Sequence, residues 1–364
     1  MKESIVIVSA IIVLSGFIAL ELGITTAILE LIAGIVAYNF FGFESTSMVN
    51  VLADIGILTL MYVAGLEIDL DMLRQKFRPS LTIGISSFLF PFLAIFFLCS
   101  HLLNFTDDQS RLAAIALSTT SIAIVYPILR ESSFSDSDTK LILSAAMVTD
   151  VLTMSALGIF FTEFSLLLVL LIIGLLIFTF LFPFFGRRIF KYYRGNIAEF
   201  EFRLILLLLL SVAIVSESVG IEAAIIAFLI GMITSEVVVE HKNLEVKLRG
   251  IVFGFFAPIF FFKVGLGISV IDLINNIPLL LIFLVVCFSS NYISTYFASK
   301  IYFPKSSKSS GYIAALFGSN LNFGIIAAIL GYKSGIFDSG LYSAIVGAVV
   351  LSTIISAVMC RRRP

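Results

Sequence analysis

The amino-acid sequence predicts an all-α polytopic membrane protein with thirteen transmembrane helices. Of its 364 residues, 60% are apolar and 13% are charged, and long apolar segments follow one another along the whole chain. Soluble domains are about 45–50% apolar and about 25% charged. The composition therefore excludes a cytosolic or secreted enzyme, and the net charge of −1 leaves no basic surface for nucleic acid.

Charged residues and short groups of Gly, Pro and Ser divide the apolar sequence into thirteen segments. A hydrocarbon core about 30 Å thick needs about 20 apolar residues per helix, and the segments are of this order. The first has no small-residue cleavage site and is expected to be a retained helix. The segments, numbered 1 to 13, begin near Ser4, Thr25, Met48, Ser80, Arg111, Thr139, Ser165, Phe202, Ile221, Gly250, Ile277, Gly311 and Leu341.

The distribution of cations predicts the orientation of the chain. Nineteen of the 23 Lys and Arg residues follow odd-numbered helices, and they include Arg361, Arg362 and Arg363 near the C-terminus. Loops rich in Lys and Arg remain on the cytoplasmic side of a membrane. We therefore expect the N-terminus outside and the C-terminus inside, in a multi-pass protein of the inner (plasma) membrane.

Two parts of the sequence recur at nearly the same spacing. Tyr62–Ile68 aligns with Phe262–Ile268 at an offset of 200 residues, and Gly23-Ile24 aligns with Gly220-Ile221 at an offset of 197. Helices 1–6 then pair with helices 8–13, and the single helix between them inverts the second unit. Inverted repeats are typical of secondary transporters, although apolar segments also match by chance.

Polar residues interrupt helices 5 and 12 at corresponding positions of the two repeats. They are Ser118, Thr119, Thr120 and Ser121 in helix 5, and Ser319, Asn320 and Asn322 in helix 12. Such residues form helices poorly, and unwound backbone inside a membrane must be covered by protein or by a water-filled cavity. The pattern predicts two crossing, discontinuous helices whose ends face an ion. Close helix packing through small residues is the alternative.

Two charged residues are predicted to lie deep in the membrane. Asp150 lies about 11 residues into helix 6, which is about 16 Å at the helical rise. A carboxylate at that depth costs about 2.5–3.5 kcal/mol, so a functional role is expected, with a structural ion pair as the alternative. Thr149 adds a hydroxyl oxygen. Lys263 reaches a similar depth in helix 10, either as a charge partner in transport or as a structural ion-pair residue, while Glu30 and Glu67 are expected to be solvated.

The sequence resembles the monovalent cation:proton antiporter-2 family, which includes bacterial sodium/proton antiporters and the membrane domains of potassium efflux systems. The matching segments are Gly65–Leu70, Ser118–Ser121 followed by Thr149-Asp150, and Phe260–Gly265. The resemblance implies a homodimer that works by elevator-like alternating access, with Asp150 as the ion-binding aspartate. Many relatives have an acid or Asn before that aspartate and a Lys in helix 11, where this chain has Thr149 and Ser289–Asn291.

The same resemblance implies a division into domains. Helices 1–3 (residues 1–79) and helices 8–10 (residues 200–272) would form the dimerisation domain. Helices 4–6 (residues 80–163) and helices 11–13 (residues 273–364) would form the core domain, and helix 7 (residues 164–199) would link the two halves.

A single deep carboxylate predicts secondary active sodium/proton exchange without a cofactor. Asp150 can hold a cation or a proton but not both, so one proton would exchange for one Na⁺, or for K⁺ or Li⁺, without net charge movement. The candidate oxygen ligands are Asp150, Thr149, Thr119, Thr120 and Ser121. A proton also released by Lys263 would make the exchange electrogenic.

Three other functions stay open on the sequence alone. The nearest is potassium/proton antiport or potassium efflux on the same scaffold. An organic-anion symporter would share the inverted-repeat design. An intramembrane aspartyl protease would need two facing carboxylates, whereas only Asp150 is predicted to lie deep in a helix.

Overall fold

The structure, a computed structural model, consists of helices and connecting segments, with no strand among the residues that it describes. It describes residues 2–22, 25–130, 132, 134–161, 166–192, 199–219, 222–240, 242–303 and 307–360. The aligned dipeptides Gly23-Ile24 and Gly220-Ile221 and the terminal cations Arg361–Arg363 lie outside the described residues.

Eight helices of the described chain are long and apolar enough to cross a membrane, and three shorter apolar helices accompany them. The chain is therefore a multi-pass membrane protein. The total of thirteen spans and the orientation stay predictions. The helices are α1 (Lys2–Leu22), α2 (Thr26–Phe41), α3 (Ser47–Leu66), α4 (Leu70–Gln75), α5 (Phe77–Phe97), α6 (Asp107–Ala116), α7 (Ile122–Arg130), α8 (Asp136–Phe161), α9 (Leu166–Tyr192), α10 (Phe200–Val219), α11 (Ala223–Glu240), α12 (Lys242–Ile251), α13 (Ala257–Leu266), α14 (Val270–Asn275), α15 (Ile277–Tyr302), α16 (Ser307–Phe317), α17 (Leu321–Lys333) and α18 (Ser339–Cys360).

The bounds of several helices recur at the spacing of the sequence repeat. Helix α3 ends at Leu66 and α13 ends at Leu266, and the short helices α4 and α14 occupy equivalent positions 200 residues apart. Helix α5 begins at Phe77, and α15 begins at Ile277. In both halves, therefore, the helix that carries the repeated sequence is followed by a short helix and then by a long one.

The chain forms two compact units. The first unit comprises Met1–Leu14, Ser45–Asp69 and Gly158–Lys263, and the second comprises Ser15–Glu44, Leu70–Leu157 and Val264–Pro364.

In the first unit, α3 and α11 pack with their backbones in contact. A Cβ atom added to Gly65 would lie 2.2 Å from the carbonyl oxygen of Phe228, and one added to Gly231 would lie 2.1 Å from that of Tyr62. Any side chain at these positions would collide with backbone, so glycine is required. A hydrogen bond of 3.0 Å between the buried hydroxyls of Tyr62 and Thr234 joins the same two helices.

The second unit contains an equivalent contact between α2 and α13. A Cβ atom added to Gly265 would lie 2.1 Å from the carbonyl oxygen of Leu31 and 3.0 Å from the Cα of Gly34. Gly65 and Gly265 occupy the same position of the sequence repeat. The repeat therefore encodes a close helix crossing in each unit.

Of two acids that the sequence predicted to be solvated, Glu30 is buried and Glu67 is half-buried. The whole of Glu30 is 3% exposed and the side chain of Glu67 is 14% exposed, so both predictions were wrong. Glu67 accepts a hydrogen bond of 2.7 Å from Nη1 of Arg249, whose Nε donates to Glu245 at 3.0 Å. Burial raises the pKa of the Glu67 carboxyl, and Arg249 opposes that shift. The sequence alone did not reveal that α12 packs beside the end of α3.

We expect the Arg249→Gln variant to lose about 2 kcal/mol of stability, because it leaves the half-buried Glu67 without its cationic partner. The Glu67→Gln/Arg249→Gln double variant should recover part of that loss. The measurement is the melting temperature of the purified protein in detergent. Arg74→Gln is the matched control, since the ion pair between Arg74 and Asp71 is exposed. Equal melting temperatures for Arg249→Gln and Arg74→Gln would contradict the prediction.

Candidate functional site

The first break in a helix separates α6, which ends at Ala116, from α7, which begins at Ile122. All four predicted polar residues of this segment, Ser118 to Ser121, are fully buried. The Ser118 hydroxyl donates to the carbonyl of Ile115 at 3.3 Å, and the Thr119 hydroxyl donates to the carbonyl of Thr120 at 3.2 Å. These side chains bond to nearby backbone and so compete with the helical pattern.

The second break separates α16, which ends at Phe317, from α17, which begins at Leu321. Ser319 and Asn320 are fully buried in this segment, whereas Asn322 is half-buried in the first turn of α17. The Ser319 hydroxyl donates to the carbonyl of Leu316 at 2.8 Å. Both helices are therefore discontinuous, at Ser118–Ser121 and at Ser319 and Asn320, whereas the prediction that Asn322 interrupts its helix was wrong, because Asn322 lies within α17.

The two breaks are in direct contact within the second unit. The Thr120 hydroxyl donates to the carbonyl of Phe317 at 3.2 Å, and Nδ2 of Asn320 donates to the carbonyl of Leu117 at 3.3 Å. A Cβ atom added to Gly324 would lie 2.7 Å from the carbonyl oxygen of Ala116. Each break thus supplies a donor to a backbone carbonyl of the other, and a glycine lets them approach.

This contact brings four helix ends into the interior of the unit. The C-terminal ends of α6 and α16 carry carbonyl groups with partial negative charge, and the N-terminal ends of α7 and α17 carry N–H groups with partial positive charge. Carbonyl and hydroxyl oxygens are suited to hard cations. The arrangement can therefore supply oxygen ligands to an alkali cation.

Asp150 lies near the middle of the 26-residue helix α8 and is 2% exposed. Its neighbour Thr149 is fully buried, and the Thr149 hydroxyl lies 2.8 Å from the Ser87 hydroxyl of α5. A Cβ atom added to Gly84 would lie 2.7 Å from the carbonyl oxygen of Ala145, so α5 and α8 are in close contact at a residue about one turn before Thr149. These contacts fix the segment of α8 that carries the carboxylate.

A chain of polar groups leads from this segment to the breaks. Nδ2 of Asn291 donates to the carbonyl of Ser87 at 3.0 Å. One turn earlier on α15, the Cys287 thiol donates to the carbonyl of Leu117 and accepts from Nδ2 of Asn320, both at 3.0 Å. The structure therefore links Thr149 to α15 through Ser87 and Asn291, and it links Asn320 to the same helix one turn away through Cys287.

The sequence analysis did not select Ser87 and Cys287 as site residues and noted Asn291 only as a departure from relatives. Cys287, Asn291 and Thr295 follow one another at intervals of four residues and therefore lie on one helical face. This spacing is a signal that could have identified the face of α15.

Lys263 lies in α13, within the first unit, whereas the other predicted site residues lie in the second. Its side chain is 16% exposed, and Nζ lies 3.3 Å from Oδ1 of Asp54 in α3. This contact supports the interpretation of Lys263 as an ion-pair residue, and its role in transport stays a prediction. Asp54 was not predicted from the sequence, although its position seven residues after the start of the apolar helix α3 is a signal of the same kind as that of Asp150.

A family model described as "Sodium/hydrogen exchanger, transmembrane" matches residues 7–361. The chain belongs to the sodium/hydrogen exchanger family. This is a family of transporters, not of enzymes, and the resemblance inferred from the sequence is confirmed.

Curated relatives of this exchanger cover most of its length. The chain is 31% identical over 288 residues to the probable Na⁺/H⁺ antiporter 3 of Methanocaldococcus jannaschii, covering 74% of this chain and 73% of the relative. It is 27% identical over 268 residues to the Na⁺/H⁺ antiporter of Enterococcus hirae, covering 70% and 69%.

Among solved structures, the sodium proton antiporter MjNhaP1 from M. jannaschii matches with a TM-score of 0.72 and 15% identity, covering 99% of this chain and 96% of that one. This likeness supports the exchanger fold.

Proposed function

We propose that the protein exchanges sodium for protons across the membrane, with the cation and the proton competing for Asp150. The observation that carries the proposal is the burial of this carboxylate beside Thr149, whose hydroxyl lies 2.8 Å from that of Ser87, in the same compact unit as both helix breaks. The relatives named as Na⁺/H⁺ antiporters support the choice of ions.

Competition for one carboxylate couples the two fluxes. Asp150 ionises to bind Na⁺ and takes up a proton when Na⁺ leaves, so each form excludes the other. The hydroxyl of Thr149 and the groups of Thr119, Thr120 and Ser121 are the candidate oxygen ligands that would replace the water around the ion. Na⁺ prefers such hard ligands, as other hard cations do.

The arrangement in the membrane forms part of the same proposal. We infer thirteen spans, with the N-terminus outside and the C-terminus inside the plasma membrane. The protein would work as a homodimer, with residues 1–79 and 200–272 as the dimerisation domain. Residues 80–163 and 273–364 would form the core domain that moves in elevator-like alternating access, with residues 164–199 as the linker. The position of Asp150 and both helix breaks in one compact unit supports such a core.

The direct experiment reconstitutes the purified protein in vesicles that contain a pH-sensitive dye. Sodium chloride, lithium chloride and potassium chloride are added in turn outside vesicles with an acidic lumen. We expect sodium to alkalinise the lumen, because its entry drives protons out. Vesicles in which none of the three cations moves protons would contradict the proposal.

We expect the exchange rate to be independent of an imposed membrane voltage, because one proton replaces one cation. Movement of an uncompensated charge would instead change the driving force by about 2.3 kcal/mol per 100 mV. The measurement repeats the sodium assay with a potassium gradient and valinomycin setting the voltage. A rate that rises or falls steeply with voltage would exclude one-for-one exchange and favour a second proton, with Lys263 as its candidate carrier.

Potassium/proton exchange is the second candidate, and one relative favours it. The chain is 25% identical over 305 residues to a Bacillus cereus protein named Na⁺/H⁺-K⁺ antiporter GerN, covering 79% of this chain and 77% of the relative. In the vesicle assay, a response to potassium without a response to sodium would select this function.

A further inference from the structure

Asn320 occupies the N-cap position of α17 but does not cap it. An asparagine at this position ordinarily accepts a hydrogen bond from a backbone N–H of the first turn, since these groups have no partner inside the helix. The side chain of Asn320 makes no such bond. Its orientation is therefore set by something other than the helix that it precedes.

Two contacts across the breaks set that orientation. Nδ2 of Asn320 donates to the carbonyl of Leu117 at 3.3 Å and to the thiol sulfur of Cys287 at 3.0 Å. The Cys287 sulfur and the Leu117 oxygen are themselves 3.0 Å apart, so both acceptors lie on the same side of the amide nitrogen and hold the nitrogen end of the amide there. Rotation of the amide by 180° would place its oxygen against the Leu117 carbonyl, where two acceptors would repel each other. Oδ1 must therefore be the atom that points away from these partners.

This oxygen is buried and has no hydrogen-bond partner among the described residues. Asn320 is fully buried, so bulk water does not solvate its oxygen. Ser121, which precedes α7 in the other break, also has a fully buried hydroxyl oxygen with no partner within the described part of the chain. Buried polar atoms are almost always satisfied. Four serines elsewhere in the described chain also have such an oxygen, but these two lie in the two contacting breaks, where they fit a partner that is not part of the protein.

The chemistry of Oδ1 limits the class of that partner. An amide oxygen is only an acceptor, so an anion would be repelled by it even though a helix N-terminus lies nearby. A cation or a water molecule fits, because amide and hydroxyl oxygens are hard ligands and also accept hydrogen bonds.

We propose that Oδ1 of Asn320 is a ligand of the transported cation, directly or through one water, and that it sets the affinity for sodium. This inference rests on the proposed function, since it adds a ligand from the second break to the site at Asp150. The Nδ2 contacts hold the oxygen in place before the ion arrives, so the site is pre-organised.

Two substitutions separate this role from that of a structural link between the breaks. Asn320→Ala removes both the oxygen and the two N–H donors, whereas Asn320→Asp keeps an oxygen and removes the donors. For a ligand, we expect the KM for sodium to rise roughly tenfold or more in Asn320→Ala and to rise clearly less in Asn320→Asp, which keeps an oxygen for the ion but loses the contacts that hold it. For a structural link alone, the two variants would shift together, and that result would overturn the inference.

The kinetic measurement is the KM for sodium, lithium and potassium in the vesicle assay. A second measurement follows the rise in melting temperature of the purified protein with added sodium chloride, because a ligand that binds the folded state stabilises it. We expect this rise to be smaller in Asn320→Ala. The control is Ser352→Ala in α18, where a buried hydroxyl bonds only within its own helix, to the carbonyl of Val349 at 2.9 Å.

The outcomes also separate this inference from the proposed function. A wild-type protein without cation-driven proton flux overturns the proposed function. Normal wild-type flux together with an unchanged KM in Asn320→Ala overturns the role of Asn320 and leaves exchange at Asp150 standing.

Discussion

We expect the Asp150→Asn variant to lose sodium/proton exchange down to the background of protein-free vesicles. The amide of Asn cannot release a proton and has no charge to neutralise the cation, so neither half of the cycle can occur. The assay is the sodium-driven change in luminal pH. Because the substitution removes a buried charge and changes the volume little, the melting temperature of the variant should not fall.

Asp108→Asn is the matched control for this experiment. Asp108 is an exposed acid in the first turn of α6 and belongs to the same unit as Asp150. Its variant should exchange sodium at the wild-type rate. Exchange that survives in Asp150→Asn would show that another group binds the ions. The comparison requires that both variants, Asp150→Asn and Asp108→Asn, are folded.

We expect the Gly231→Ala variant to be destabilised by about 3 kcal/mol, because its methyl group would lie 2.1 Å from the carbonyl oxygen of Tyr62. That atom is backbone, so relief requires α3 and α11 to move apart. Gly265→Ala should behave alike, since its Cβ would lie 2.1 Å from the carbonyl oxygen of Leu31. The melting temperature and the yield of folded protein measure both effects.

Gly174→Ala in α9 provides the comparison for these glycine variants. No atom lies within 4 Å of the Cβ position at Gly174, which is exposed. Alanine is about 1 kcal/mol better than glycine inside a helix, so this variant should be as stable as the wild type or slightly more so. A loss of stability as large as that of Gly231→Ala would show that the close crossing is not the cause.

Much of the site could be predicted from the sequence because its polar residues lie within apolar, membrane-spanning segments, where such residues are rare. A carboxylate such as Asp150 in an apolar helix, and consecutive hydroxyls such as Thr119 and Thr120, conflict with the membrane environment and so indicate function. These signals are local and need no partner to be recognised. Asp54 also lies inside an apolar helix, but the acid predicted from this helix was Glu67 at its end, so Asp54 was not recognised.

The predictions for Glu30 and Glu67 failed for a different reason. Distance from the membrane surface suggests solvation, but the packing of neighbouring helices decides whether a side chain near that surface meets water. Glu67 is covered at the end of α3 and paired with Arg249, 182 residues later in the chain. The distribution of apolar and polar residues along the sequence does not indicate such a long-range contact.

The sequence by itself determined that this chain crosses a membrane, where its helices break and which carboxylate is unusual. These three properties follow from hydropathy and helix propensity along the linear sequence. Only the tertiary structure decided which oxygens and amides meet at the breaks. Asn320, Cys287 and Leu117 come together from three separate segments, and contacts at such separations depend on how helices pack, which a one-dimensional pattern does not contain.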